Sequence, residues 1–225
     1  MTEVPVIAID GPGGAGKGTV ARAVAQRLGW HLLDSGSLYR ITAFAALQVG
    51  VDLDDSAALC GIARDLDVRF ADGEDGVRVV LAGEDVSDAI RSEEAGAAAS
   101  VVASDPAVRE ALIDRQRAFA RPPGLVADGR DMGSVVFCDA KLKIFLTASV
   151  AERARRRYKQ LKDKGMNVSL PALSRDMEER DRRDSERAVA PLRATEDARV
   201  LDTTELDAQQ VIEQVVSWAA EVYPV

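Results

Sequence analysis

A chain of 225 residues, with 29 basic against 37 acidic residues and a formal charge of −8, can form one α/β domain with insertions and bury a sizeable core. No apolar run approaches the roughly 20 residues that cross a bilayer, and the start carries Glu3 and enters an apolar run at once, so no secretory leader is expected. Cys60 and Cys138 fit no metal spacing and are expected as two buried thiols of a cytoplasmic protein, and a lone histidine, His31, excludes a multi-histidine metal site.

Residues 4–10 are a short β-branched apolar run, the pattern of a buried strand. Gly-Pro-Gly-Gly-Ala-Gly-Lys-Gly-Thr follows at 11–19, and its glycines at 11, 13, 14 and 16 allow backbone angles closed to other residues. Residues 17–28 then carry apolar side chains at helical spacing and stop at Gly29. Strand, glycine loop, lysine and helix in this order predict a phosphate cradle. Gly11, Pro12, Gly13, Gly14, Ala15, Gly16, Lys17, Gly18 and Thr19 would surround an anion at a helix N-terminus, with Lys17 as a mobile charge. The usual pattern puts Ser or Thr directly after the lysine. Here Gly18 intervenes, so a magnesium contact of Thr19, direct or through water, stays open.

Further buried strands are expected at 30–34, 124–128, 142–147 and 199–202, and helices near 37–48, 105–120, 150–163, 170–185 and 207–221. The alternation predicts a parallel sheet with helices on both faces. Two stretches break the rhythm. Residues 67–70 and 77–81 alternate with period two around a polar 71–76 turn, which predicts an antiparallel hairpin insert. Residues 162–167 form a polar turn between two charged helices, suited to a mobile flap, and the alanine-rich 95–103 stretch reads as a packed helix.

Charge is unevenly placed. Residues 153–193 hold 13 basic against 7 acidic side chains, inside a chain whose remainder is acidic. An acidic whole repels polyanions at range, and Tyr158 is the only aromatic of the basic stretch, so no nucleic-acid partner is expected and a small anionic ligand fits better. Three arginine clusters refine this. Asp-Ser-Gly-Ser-Leu-Tyr-Arg (34–40) ends in Arg40; Asp-Gly-Arg-Asp-Met-Gly-Ser (128–134) sets Arg130 between Asp128 and Asp131; and residues 179–187 space Arg180, Asp184 and Arg187 on one helical face. The first two follow predicted strands, where open α/β sheets bind ligands. A solvated ion-pair face is the bland alternative for each.

The missing groups also inform. A kinase for an alcohol needs a base to take the hydroxyl proton. A phosphate acceptor needs none, since its second pKa is about 6. It needs cations to offset repulsion between donor and acceptor. Several arginines without an evident base therefore point to transfer from one phosphate to another, with a nucleoside monophosphate as acceptor.

Four motifs, "GPGGAGKGT", "LLDSGSLYR", "ADGRDMGSVVF" and "ERDRRDSERAVAPL", in this order and spacing, resemble the bacterial cytidylate kinases nearly end to end. The Lys-Gly-Thr ending of the loop likewise resembles nucleoside monophosphate kinases. The resemblance implies a P-loop kinase fold: a five-stranded parallel sheet flanked by helices, an antiparallel β insert in the monophosphate-binding region, and a short lid. It implies a core of 1–34, 104–148 and 188–225, a monophosphate-binding region of 35–103 with the insert at about 63–92, and a lid at about 153–187. It implies in-line transfer from ATP, with Mg²⁺, to CMP or dCMP. Arg40 and Arg130 would hold the acceptor phosphate; Ser35, Arg109, Asp131 and Arg187 would line the base pocket; Ser100, Arg180 and Asp184 would reach the sugar; and Arg153, Arg156 and Arg157 would correspond to the lid arginines facing ATP. A monomer is expected. Two rivals share parts of this pattern. A GTPase switch would carry an Asn-Lys-x-Asp guanine reader, which is absent from the sequence. A kinase for another monophosphate or a small acid such as shikimate is disfavoured by the insert and by the pairing of Ser35 with Asp131.

Overall fold

The computed structural model describes residues 4–73 and 76–224. Its elements run β1 (Val6–Asp10), α1 (Lys17–Leu28), β2 (His31–Asp34), α2 (Ser35–Gln48), α3 (Ser56–Arg64), β3 (Val68–Gly73), β4 (Gly76–Leu81) and β5 (Glu84–Asp85). They continue with α4 (Glu93–Val102), α5 (Pro106–Arg117), β6 (Leu125–Gly129), β7 (Leu142–Thr147), α6 (Val150–Asp163), α7 (Leu170–Ser185), β8 (Arg199–Asp202) and α8 (Ala208–Val222). Two compact units emerge: one of the chain through Asp34 together with Gln116 onward, the other of Ser35–Arg115.

The first unit is built on five parallel strands in the order β2-β6-β1-β7-β8. The central strand β1 is buried at all five residues, as its apolar run requires, and β6 likewise. Ile7 and Ile9 pack with Val20 and Val24 of α1, Ile144 and Leu146 of β7, and Val211 and Val215 of α8. A capping box between Asp207 and Gln210 starts α8, and its far end is pinned where the Tyr223 hydroxyl donates to the Val6 carbonyl at 2.7 Å. The second unit packs α2 against α3 and α4 and carries the three-stranded antiparallel sheet β3-β4-β5.

The predicted strands and helices are present, with instructive differences. The 30–34 and 199–202 strands are not fully buried: β2 and β8 lie at the two sheet edges, where Asp34 is exposed and Val200 is 59% exposed. An apolar run alone does not separate an edge strand from a central one. Helix α2 begins at Ser35 rather than 37. Helix α3 was not expected, because its stretch is only nine residues long; the Asp55 side chain starts it by accepting from the Ala58 N–H at 3.0 Å. The insert has a third short strand, β5, and the Glu74 and Asp75 of the predicted turn lie outside the described residues. Cys60 is buried as expected, but Cys138 is exposed, in the turns that follow a single π-helical turn at Met132–Val136.

One glycine is fixed by the strand beside β1. Gly11 follows β1 at φ 146°, and a Cβ placed there would stand 1.9 Å from the Leu146 carbonyl oxygen of β7. Gly11→Ala is therefore expected to cost about 3 kcal/mol or more, because backbone on both sides has to move. Chemical denaturation measures this, and a midpoint equal to wild type would contradict the packing.

Candidate functional site

In the first unit, the carboxyl ends of β1 and β6 bring Asp10 and Asp128 to the same edge, with Ile9 beside Asp128 and Asp10 beside Gly129 in the register. The loop from Gly11 leads from that edge into α1, and its Gly14 and Gly16 adopt left-handed backbone at φ 80° and 92°. Lys17 is folded back: its ammonium donates to the Pro12 carbonyl at 2.9 Å and only 6% of the residue is exposed. Burial pulls the Lys17 pKa down to about 7, the nearby positive charge of Arg130 adding to the effect and the Asp128 carboxylate opposing it. Burial conversely pushes Asp128 up to about 7, offset in part by Lys17. Gly18, the residue that breaks the usual loop pattern, has a structural reason. A Cβ there would come within 3.3 Å of the Asp128 Oδ2. Thr19 lies exposed in the first turn of α1.

The predicted arginines of this unit gather over the loop, with exceptions. From the position of a Cβ on Gly13, the Arg130 Nη2 would be 3.5 Å away and the Arg180 Nη1 4.0 Å. Arg130 donates through Nε to the Asp184 Oδ2 at 2.9 Å, and Arg187 pairs through Nη2 with the other Asp184 oxygen. Although burial works against it, the two guanidiniums hold Asp184 below the usual carboxylate range. Helix α7 ends at Ser185, so Arg187 reaches Asp184 from beyond the helix rather than from its face. Arg153 is engaged by the protein on every nitrogen: Nε on the Ala148 carbonyl at 2.9 Å, Nη1 on the Gly13 carbonyl at 2.9 Å and on Asp181, Nη2 on Asp181. Arg156 and Arg157 make different contacts. Arg156 is bound to Glu152 and to the Thr203 hydroxyl and carbonyl after β8, and Arg157 donates to Gln160 at 3.2 Å.

Arg187 adds a further observation. Its Nε and Nη1 are buried with no hydrogen-bond partner among the described residues, on a side chain 4% exposed. Buried donors of a cation left unmade are costly, so they mark a place where a ligand's acceptors would be gained.

Sequence reasoning missed the residues that hold this group in place. The Asp10 carboxylate accepts from the Met132 and Gly133 N–H groups, both at 2.8 Å, and so ties the end of β1 to the loop that carries Arg130 and Asp131. Asp131 itself is buried. Thr203 bonds the Thr147 carbonyl at 3.1 Å and lies 3.4 Å from that of Ala15. The only available signal was the repeated Asp-Gly at the ends of two predicted strands, 10–11 and 128–129.

In the second unit, Ser35 is buried at the start of α2 and Ser100 is buried on α4. Arg40 donates to the carbonyls of Ile90 at 2.9 Å and Ser92 at 3.3 Å, around the start of α4. Arg109 is buried, donates to the Ala103 carbonyl at 2.9 Å and stacks 5.7 Å from the centre of the Tyr39 ring. All four are held by helices, which keeps their polar ends in defined places.

A family model described as cytidylate kinase matches residues 7–221. The chain is 61% identical over 215 residues to a cytidylate kinase of Pseudomonas aeruginosa, covering 95% of this chain and 94% of that protein. It is 60% identical to one of Azotobacter vinelandii, covering 94% and 93%, and 57% identical to one of Aeromonas salmonicida, covering 96% and 94%. A solved shikimate kinase of Bacteroides thetaiotaomicron aligns with 99% of each chain at 14% identity and a TM-score of 0.47.

The Asp10 tie carries a pH dependence. Burial raises its pKa from 3.8 to about 6, against the two backbone hydrogen bonds. An acid raised in the folded state holds its proton more tightly folded than unfolded. The folded state thus gains stability as pH falls from about 6 towards 4, and above 6 it carries the full cost of the buried charge. Asp10→Ala leaves two N–H groups without an acceptor and is expected to cost about 1–3 kcal/mol. The loss should be larger at pH 5 than at pH 8. Denaturant midpoints of both proteins at the two pH values test this, and a loss that grows with pH would contradict it.

Proposed function

This chain belongs to the cytidylate kinase family, and we propose that its loop of residues 11–19 and the arginines around it transfer the terminal phosphoryl group of ATP in line to CMP or dCMP. ADP and the cytidine diphosphate are the products, and pyrimidine nucleotide metabolism is the setting. The observation that supports the reading is the crowding of Lys17, Arg130 and Arg180 about one glycine loop, with Arg187 joined to Arg130 through Asp184 and carrying two buried donors without acceptors. A dianionic acceptor supplies its own nucleophilic oxygen, so the chain's work is to bind, orient and neutralise. His31, the one histidine, is engaged at 3.0 Å with the Pro122 carbonyl.

The proposed roles are those that the resemblance of the motifs implies. Backbone N–H groups of the loop from Gly13 to Thr19 would receive the ATP phosphates, with Lys17 leaving Pro12 for the transferring group. Arg130 and Arg40 hold the acceptor phosphate. Ser35, Arg109, Asp131 and Arg187 face the base, and Ser100, Arg180 and Asp184 the sugar. Arg153, Arg156 and Arg157 belong to the lid side of the ATP site, within a lid of about 153–187, a core of 1–34, 104–148 and 188–225, and a monophosphate-binding region of 35–103. The oxygen donors beside the loop, the exposed Thr19 hydroxyl and Asp128, suit a hard cation. Mg²⁺ bound there with ATP would supply charge neutralisation at the phosphates. Mg²⁺ commonly keeps several waters and is bound through one or two carboxylates plus substrate phosphates, so the proposed ion would be held largely by nucleotide and water. Among the described residues no helix is long and apolar enough to cross a membrane. The proposed reading is of a cytoplasmic monomer without a nucleic-acid partner, as the acidic balance of the chain and the family resemblance suggest.

Base choice rests on Asp131. Cytosine offers an amino donor at N4 where uracil offers an acceptor at O4. A buried carboxylate left facing the uracil oxygen loses about 1–3 kcal/mol or more relative to cytosine.

ADP release measured across CMP, dCMP, UMP, AMP and GMP tests the function, and turnover confined to another base would overturn it. Lys17→Ala is expected to remain folded and lose about 10²–10³-fold or more in kcat, the usual cost of removing a preorganised contact to transferring charge. Asp131→Ala is expected to lower kcat/KM for CMP and narrow the CMP to UMP ratio. If Asp131 only holds an arginine, both substrates fall equally and the ratio stays unchanged.

A further inference from the structure

Arg153 lies at the start of α6, yet its guanidinium turns away from solvent and is 3% exposed. It spans three parts of the first unit: the Ala148 carbonyl after β7, the Gly13 carbonyl in the glycine loop, and both oxygens of Asp181 on α7. Asp181 lies three residues before Asp184, so one face of α7 is fastened twice, to Arg153 and to Arg130. Its side chain is a quarter exposed, which makes it the accessible end of an otherwise buried arrangement.

The Gly13 contact has a geometric consequence. A peptide unit is planar and trans, so its C=O and the following N–H point in opposite directions. Drawing the Gly13 carbonyl onto Arg153 aims the Gly14 N–H the other way. Gly14 has φ 80°, and a Cβ added to it would meet the Arg153 Cβ at 3.1 Å and the Met177 Cε of α7 at 3.3 Å. The peptide is therefore gripped by an arginine from α6 and covered by a side chain from α7. A lysine could not replace this arginine, because one ammonium cannot reach two carbonyls and a bidentate carboxylate in a fixed fork.

We propose that Arg153 and Asp181 form a clasp that orients the Gly13–Gly14 peptide for ATP, so that Arg153 acts as a positioning residue through the loop rather than by touching the nucleotide. The clasp deepens the proposed function, since it concerns the same loop. Asp181 supplies the charge that holds the guanidinium against Gly13. Losing that charge lets the guanidinium swing and the peptide with it, while Arg130 and Asp184 still fasten α7.

Calorimetric titration with ATP alone, and separately with CMP alone, tests this on wild type, Asp181→Ala, Arg153→Lys, the double variant and the milder Asp181→Asn. Asp181→Ala and Arg153→Lys should each weaken ATP binding about tenfold, and the double variant should be no more than about twofold weaker than either, as for two ends of one interaction. Asp181→Asn keeps one acceptor and should lose about threefold. CMP binding should stay within about twofold throughout. Wild-type ATP affinity in Asp181→Ala would overturn the clasp, as would losses that multiply in the double variant. Equal losses of ATP and CMP binding together with a lowered thermal midpoint would also overturn it, because they report general loosening. The titration needs no acceptor turnover. A protein that shows this ATP pattern and phosphorylates neither CMP nor dCMP would overturn the proposed function and leave the clasp standing.

Discussion

Mutual repulsion among Lys17, Arg130, Arg153, Arg180 and Arg187 is the constraint around which the first unit is organised. Burial raises the cost, because charges out of water interact more strongly and lose hydration. The chain meets it with carboxylates placed between the cations. Asp184 lies between Arg130 and Arg187, Asp181 holds Arg153, and Asp128 lies by Lys17. These pairings decide much else. They fix α7 against the glycine loop, they leave little room for a side chain at Gly18 beside Asp128, and Lys17 rests on the Pro12 carbonyl. The local order of the site is in this sense electrostatic, laid over a sheet whose own order is apolar.

Much of the fold was legible because hydrophobic period and turn chemistry agreed. Residues 6–10, 125–129 and 142–147 are apolar runs that the core of a parallel sheet demands, and all three are found in its middle. The misread elements fail for identifiable reasons. The 199–202 run looks like the others, but position at a sheet edge is set by topology and not by its four residues. Helix α3 has only nine residues and is fixed by one aspartate at its start, too weak a local signal to stand out. Cys138 was expected inside because free thiols usually are, yet the tight π-helical turn at 132–136 leads the chain back to the surface before it enters β7.

The site was legible in its cast and illegible in its bonds. Glycine loop, lysine and arginine clusters announce themselves by composition and spacing. Which acceptor an arginine takes is a tertiary fact, since five donors at the end of a long side chain can reach partners far away in sequence. Arg153, Arg156 and Arg157 form one run of similar residues, and their guanidiniums end on Gly13 and Asp181, on Thr203, and on Gln160 respectively. No pattern within the run separates them. Asp10 was hidden differently. It reads as the last residue of a strand, and its part in holding the 130–133 loop depends on two backbone N–H groups more than a hundred residues away.

The same pairings bear on how tightly substrate can be held. A phosphate that binds Arg130 competes with Asp184, so the gain is an exchange of one anion for another and smaller than the bare attraction. Lys17 must likewise leave the Pro12 carbonyl, and bound phosphate favours its charged form after burial has disfavoured it. Each contact is partly offset in the ground state, whereas charge that develops on the transferring group meets cations already in place. Binding energy is thereby shifted from holding substrate towards stabilising the transition state, which is where it raises turnover. It also eases the release of products that are still polyanions. Arg187, with two buried donors unmade, is the exception: an acceptor reaching it would be a gain with no anion to displace from those two nitrogens.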